Sequence, residues 1–117
     1  MEIRPATRDD IVTMAGRTFP ETIRALAVEH AGEVIAIAGL RLSDPKMAFS
    51  DIKPEIKKSP RTVVELIRRV KDMISDYESA VYAIADEDEP TAPGLLEHMG
   101  FRYFKTTRQG RVYQWHR

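Results

Sequence analysis

The stretch from Lys46 to Ala85 constrains the fold more than any other part of the chain, because it places one long amphipathic helix between two short strands. Ser59 offers a helix N-cap, and Pro60 stands at the first helical position, where its missing N–H is no loss. Val63, Ile67, Val70, Ile74 and Tyr77 then recur at spacings of four and three. Val64, Leu66 and Met73 widen that stripe, while Arg68, Arg69 and Asp72 fill the wet face. Before the helix, Lys46 to Ile52 reads as a strand ended by Pro54. After it, Ala80 to Ala85 is nearly all apolar, the kind of strand buried on both faces. A strand, a helix and a second strand in this order make a parallel crossover.

The flanking segments supply the rest of a sheet. Glu2 to Arg4 is a short strand stopped by Pro5. Thr7 is an N-cap with Asp10 three residues on as a shortened capping box, ahead of Ile11, Val12, Met14 and Ala15. The run from Gly16 to Thr22 reads as a loop or a broken second helix. Ile23–Glu29 and Val34–Leu42 form a hairpin around His30-Ala31-Gly32-Glu33. An acidic loop, Asp86 to Pro90, precedes a short helix from Gly94 to Met99, capped by Gly100. Phe101–Thr106 and Arg111–His116 close the chain as a hairpin across Gln109-Gly110. The predicted order is β-α-β-β-β-α-β-α-β-β: an α/β mixed sheet of six to seven strands with three to four helices.

Composition removes several function classes. A chain of 117 residues supports a single domain, residues 1–117. Its 18 Lys and Arg balance 18 Asp and Glu, which argues against a dedicated nucleic-acid or acidic-membrane binder. Arginines interleave with aromatics near the C-terminus, a pattern also seen in single-strand binders, but the neutral balance weighs against it. There is no cysteine. His30, His98 and His116 are scattered, so no metal site is expected. The longest apolar run, Val34 to Leu40, is too short to span a bilayer, and the charged opening does not read as a signal peptide. A cytoplasmic domain without a membrane partner is the expectation.

Three local patterns resemble the GNAT superfamily of N-acetyltransferases in the right order along nearly the whole chain. Residues 2–11 resemble its opening strand and first helix. Ile52-Lys53-Pro54-Glu55-Ile56-Lys57 resembles the end of its fourth strand ahead of the cofactor loop. Leu95-Leu96-Glu97-His98-Met99-Gly100-Phe101-Arg102 resembles its C-terminal helix-to-strand signature. A looser likeness is to the short GNAT-like proteins of tailed bacteriophages, which share the Ile-Arg-Pro opening and a basic amphipathic helix without a glycine loop.

The resemblance implies direct acetyl transfer from acetyl-CoA to an amine. The pantetheine arm would lie where the sheet splays between the fourth and fifth strands, against the backbone of Ser50, Asp51 and Ile52. The pyrophosphate would sit at the following helix N-terminus. The family's Arg/Gln-x-x-Gly-x-Gly/Ala turn falls on Lys57, Pro60 and Thr62, so both small residues are replaced and Pro60 lacks a donor. Lys57, Lys58 and Arg61, with the hydroxyls of Ser59 and Thr62, would offer compensating contacts; otherwise they are a solvated helix start. The family's acidic Tyr falls on Leu96. Tyr82 and Tyr103 are the available substitutes as general acid, or else core and rim residues. Asp51 is the first choice for general base. Asp86 to Glu89 would draw a cationic acceptor, or pair with the basic loop.

Two functions follow from this resemblance. One is a GNAT-like N-acyltransferase using acetyl-CoA on an amine of a small molecule or protein. The alternative is a catalytically degenerate GNAT-fold binding protein, phage-encoded, acting through protein contacts. The aromatics Phe101, Tyr103, Phe104, Tyr113 and Trp115 mark the C-terminal hairpin as a contact surface, including a homodimer contact.

Overall fold

The computed structural model describes residues 1–116. The chain runs β1 (Glu2–Pro5), α1 (Arg8–Ala15), β2 (Ile23–His30), β3 (Glu33–Arg41) and β4 (Lys46–Ile52). It continues through a 3₁₀ turn (Pro54–Lys58), α2 (Pro60–Ser75), β5 (Val81–Ala85), α3 (Ala92–His98), β6 (Arg102–Thr107) and β7 (Gly110–Trp115). The strands form a seven-stranded sheet in the order β1-β2-β3-β4-β5-β7-β6. Neighbours are antiparallel except β4 and β5, joined by the α2 crossover. The α/β architecture is the expected one.

The first helix starts as its sequence demands. The Thr7 hydroxyl accepts from the Asp10 amide at 3.2 Å, and the Asp10 carboxylate accepts from the Thr7 amide at 2.7 Å. Arg4 on β1 grips the same carboxylate in a fork, at 2.6 and 3.1 Å, and reaches Glu29 on β2 at 3.2 Å. The buried Asp10 carboxyl is thereby held down at about 2, chiefly by Arg4. One carboxylate thus joins strand, cap and helix.

Two apolar layers enclose the first half of the sheet. Leu66, Val70, Met73 and Ile74 of α2 pack with Ala36, Ala38 and Leu40 of β3 and with Val81, Ala83 and Ala85 of β5. Ala27 and Ile37, opposite each other on β2 and β3, are equally buried on the other face, under α1. Gly39 is required between these strands. A Cβ there would stand 2.2 Å from the Arg24 carbonyl oxygen and 2.5 Å from the Ala25 Cα.

Several expectations need correction. Pro60 opens α2, but the Ser59 hydroxyl does not cap it; it meets the Thr62 hydroxyl at 2.7 Å. Val64 lies outside the apolar stripe and is exposed. No second helix forms over Gly16–Thr22, and α3 begins at Ala92 instead of Gly94. The last hairpin turns at Arg108-Gln109, since Thr107 pairs with Gly110. Gly110 instead lets β7 approach β5: a Cβ there would lie 2.9 Å from the Ala85 carbonyl. Most consequentially, β5 is not buried on both faces. Val81, Ala83 and Ala85 are covered, whereas Tyr82 is half-buried and Ile84 is exposed. Helix α1 has eight residues, about 12 Å, and does not reach across the whole sheet.

Candidate active site

The sheet splits between β4 and β5. Only Lys46–Val81 and Met47–Tyr82 pair across it. Beyond Met47, β4 runs on to Ile52 bonded to β3 alone, while β5 runs on to Ala85 bonded to β7. The facing edges carry backbone N–H and C=O groups without a strand partner, in a gap that an extended, amide-bearing chain can enter.

Side chains beside this gap sort by strand alternation. Ser50 and Ile52 stand opposite Ala38 and Ala36, on the α2 face. Phe49 and Asp51 stand opposite Gly39 and Ile37, on the α1 face. Tyr82, level with Met47, marks the closed end of the split on that same α1 face. Asp51 lies four residues beyond Met47, about 13 Å along the strand. The structure therefore puts the two candidate proton-transfer groups on one face but not in contact.

Each has a defined setting. Partial desolvation pushes the Asp51 carboxyl up from the usual carboxylate range, although the residue is open to solvent by area. It forms no hydrogen bond or ion pair among the described residues. The Tyr82 hydroxyl accepts from Gln114 Nε2 at 2.9 Å, and the two residues are directly opposed on β5 and β7. That bond uses a lone pair and leaves the phenolic proton available. The Tyr82 ring meets Phe104 edge-on at 5.5 Å.

The basic loop differs from a phosphate cradle. Residues Pro54–Lys58 wind into a 3₁₀ turn that plugs Ile56 into the core. The Thr62 amide donates to the Ser59 carbonyl at 3.0 Å, and the hydroxyls of Ser59 and Thr62 engage each other. Lys57, Lys58 and Arg61 are exposed and carry no ion pair among the described residues. They do not pair with the acidic loop, whose Asp86 accepts from the Asp88 amide and whose Glu89 accepts from Thr91. The free β4 edge fits a pantetheine arm; the loop offers an anion side-chain charge instead of a ring of amides. Leu96 of α3 packs against the core and has no proton to give. Tyr103 lies on the face away from Tyr82, 6.0 Å from the Tyr113 ring, and bonds to Thr106.

Six residues not singled out from the sequence belong to this region. Phe19, from the loop after α1, reaches across to Phe49 at 6.3 Å between ring centres. The guanidinium groups of Arg17 and Arg41 lie over Phe19 at 4.2 and 4.9 Å, and Arg41 pairs with Glu21. The Arg41 bond holds the Glu21 carboxyl below its ordinary range. The only local signal was an aromatic residue beside Pro20 in an otherwise polar loop. Gln114 carried no signal at all.

This mixed seven-stranded fold is shared by solved N-acetyltransferases, as the GNAT resemblance implies. The solved structures agree over almost the whole chain. Ribosomal-protein-S18-alanine N-acetyltransferase from Escherichia coli superposes with a TM-score of 0.66 at 13% identity, covering 97% of this chain and 92% of that one. An N-acetyltransferase from Staphylococcus aureus gives 0.66 at 12% identity, with 97% and 96% covered. A variant of spermidine N-acetyltransferase from Vibrio cholerae gives 0.66 at 14%, with 97% and 92% covered. No protein-family model and no curated protein matches the sequence. At such identities the likeness establishes the fold. Among the described residues no helix is long and apolar enough to cross a membrane, and no cluster of three His, Asp or Glu is placed to hold a metal ion.

Proposed function

We propose that the protein is an N-acyltransferase that moves an acetyl group from acetyl-CoA to an amine of a small molecule or protein. The observation that carries this reading is the split itself: two paired residues, then an open β4 edge ending at four basic side chains, Lys53, Lys57, Lys58 and Arg61. Acetyl-CoA supplies a thioester whose acetyl carbon passes to the amine nitrogen as the C–S bond breaks. The backbone of Ser50, Asp51 and Ile52 holds the pantetheine arm. Lys57, Lys58 and Arg61 hold the pyrophosphate, with Ser59 and Thr62 beside it. Asp51, with its raised carboxyl, takes the proton lost by nitrogen through an intervening water; Tyr82, oriented by Gln114, gives a proton to the departing sulfur.

The test is thermal stabilisation by acetyl-CoA and CoA. A ligand that binds only the folded state adds about 2.7 kcal/mol at a hundredfold excess over its Kd. A shift that vanishes in the Lys57/Lys58/Arg61 alanine variant is the expected result. No shift with either ligand at millimolar concentration sinks the enzyme reading.

A second reading rests on the plugged 3₁₀ turn and on Leu96. The fold is kept without transfer and serves as a protein-binding module. A partner captured by the purified chain and unaffected by CoA supports it. Self-association through the C-terminal hairpin fits either reading, because β6 is the sheet edge.

A further inference from the structure

We infer that the α1-face mouth of the split is a binding site for a monoamine carried on a flat aromatic group, and that such an amine is the acyl acceptor. This rests on the acyl-transfer reading above. Two aromatic pairs stand on that one face, one on each wall: Phe19 with Phe49 on the β4 side, and Tyr82 with Phe104 on the β5 side. Phe49 lies two residues beyond Met47, the partner of Tyr82, hence about 7 Å farther along the strand. Rings separated by a strand gap and about that offset can receive a third ring between them, in contact with both.

The mouth is uncovered on this face. Phe104 is 49% exposed and Ile84 is 39% exposed. Phe104 reaches this face by strand alternation: it follows Arg102 by two residues, and Arg102 stands opposite Gln114, which stands opposite Tyr82.

Charge selects the amine. On this face Asp51 is a carboxylate without a partner among the described residues, poised for a single ammonium. Glu21, the next acid along the β4 wall, is held by Arg41. The other end of this same wall is cationic, since Arg17 and Arg41 both lie over Phe19, with Arg41 level with Met47. In the acidic loop after β5, Asp86 accepts from the Asp88 amide and Glu89 from the Thr91 hydroxyl. A polyamine that placed one ammonium at Asp51 would bring another toward the arginines. An aromatic monoamine puts its ring between the pairs and its lone charge at Asp51.

The experiment is calorimetric titration of the full chain with phenethylamine, tyramine and spermidine, repeated on Phe104→Ala and Phe49→Leu, with melting curves for each variant. We expect the arylalkylamines to bind at least tenfold tighter than spermidine. Phe104→Ala should weaken them at least fivefold while its melting temperature stays near that of the parent, because the side chain is exposed. Phe49→Leu should weaken them less, since it keeps the bulk and loses the ring face. Spermidine binding equally well overturns the inference, as does arylalkylamine binding that both variants leave unchanged. If acetyl-CoA fails to bind but phenethylamine still does, the acyl-transfer reading falls and the aromatic-amine site stands.

Discussion

The two halves of the sheet are built alike and covered differently. Strands β1 to β4 carry α1 on one face and α2 on the other, and β3 is buried from Ile35 to Leu40. Strands β5, β7 and β6 carry a helical layer on one face only, so their opposite face shows Tyr82, Ile84 and Phe104. The covered half supplies rigidity, and the bare half begins at the strand pair where the sheet opens. Apolar groups left outside a core are informative when they cluster, and here they cluster beside the split.

The difference is tested most severely by two phenylalanines three residues apart. Phe101 is fully buried and Phe104 lies on the bare face. Phe101→Ala should cost about 3–5 kcal/mol in urea unfolding, and Phe104→Ala about 1 kcal/mol or less. Equal costs would mean that the second face is covered in solution. Gly39→Ala probes the covered half: the new Cβ meets backbone of β2, and a loss of about 2–3 kcal/mol by the same measurement is expected.

Asp10→Asn removes the clamp joining β1, α1 and β2 and should cost about 1–2 kcal/mol near neutral pH. The carboxyl titrates at about 2 in the folded chain against an ordinary 3.8, so its stabilisation is full above 3.8 and is lost as pH falls through 2. The parent should therefore lose its advantage over the variant between pH 4 and 2 in acid melting curves. A constant difference across that range would show that the ion pair does not carry the clamp. Smallest in stability is the Lys57/Lys58/Arg61 alanine variant, whose side chains are exposed and unpaired among the described residues. Its unfolding midpoint should stay within about 0.5 kcal/mol of the parent. Its CoA affinity should fall about tenfold or more, and what remains should depend less on salt.

Local chemistry made much of the fold legible from sequence. The capping box at Thr7 and Asp10, the stripe along α2 and the strands on either side of it are each written within one element. Their periodicity also orders the chain into strand, helix and crossover. The candidate site was legible only in part: Asp51, Tyr82 and the basic loop can be named as candidates from sequence, yet their spacing and settings were not readable.

The identity and order of the elements are therefore written locally in the residues, because turn chemistry and hydrophobic period act over a few positions. The tertiary structure alone decided that β5 keeps one face bare, that Phe19 meets Phe49 across thirty positions, and that Gln114 faces Tyr82. It also decided that Phe104 of β6 meets Tyr82 of β5 across the intervening strand. These are long-range contacts set by helix length, strand register and the divergence of two strands, and no local pattern encodes which distant side chain will fill the same space.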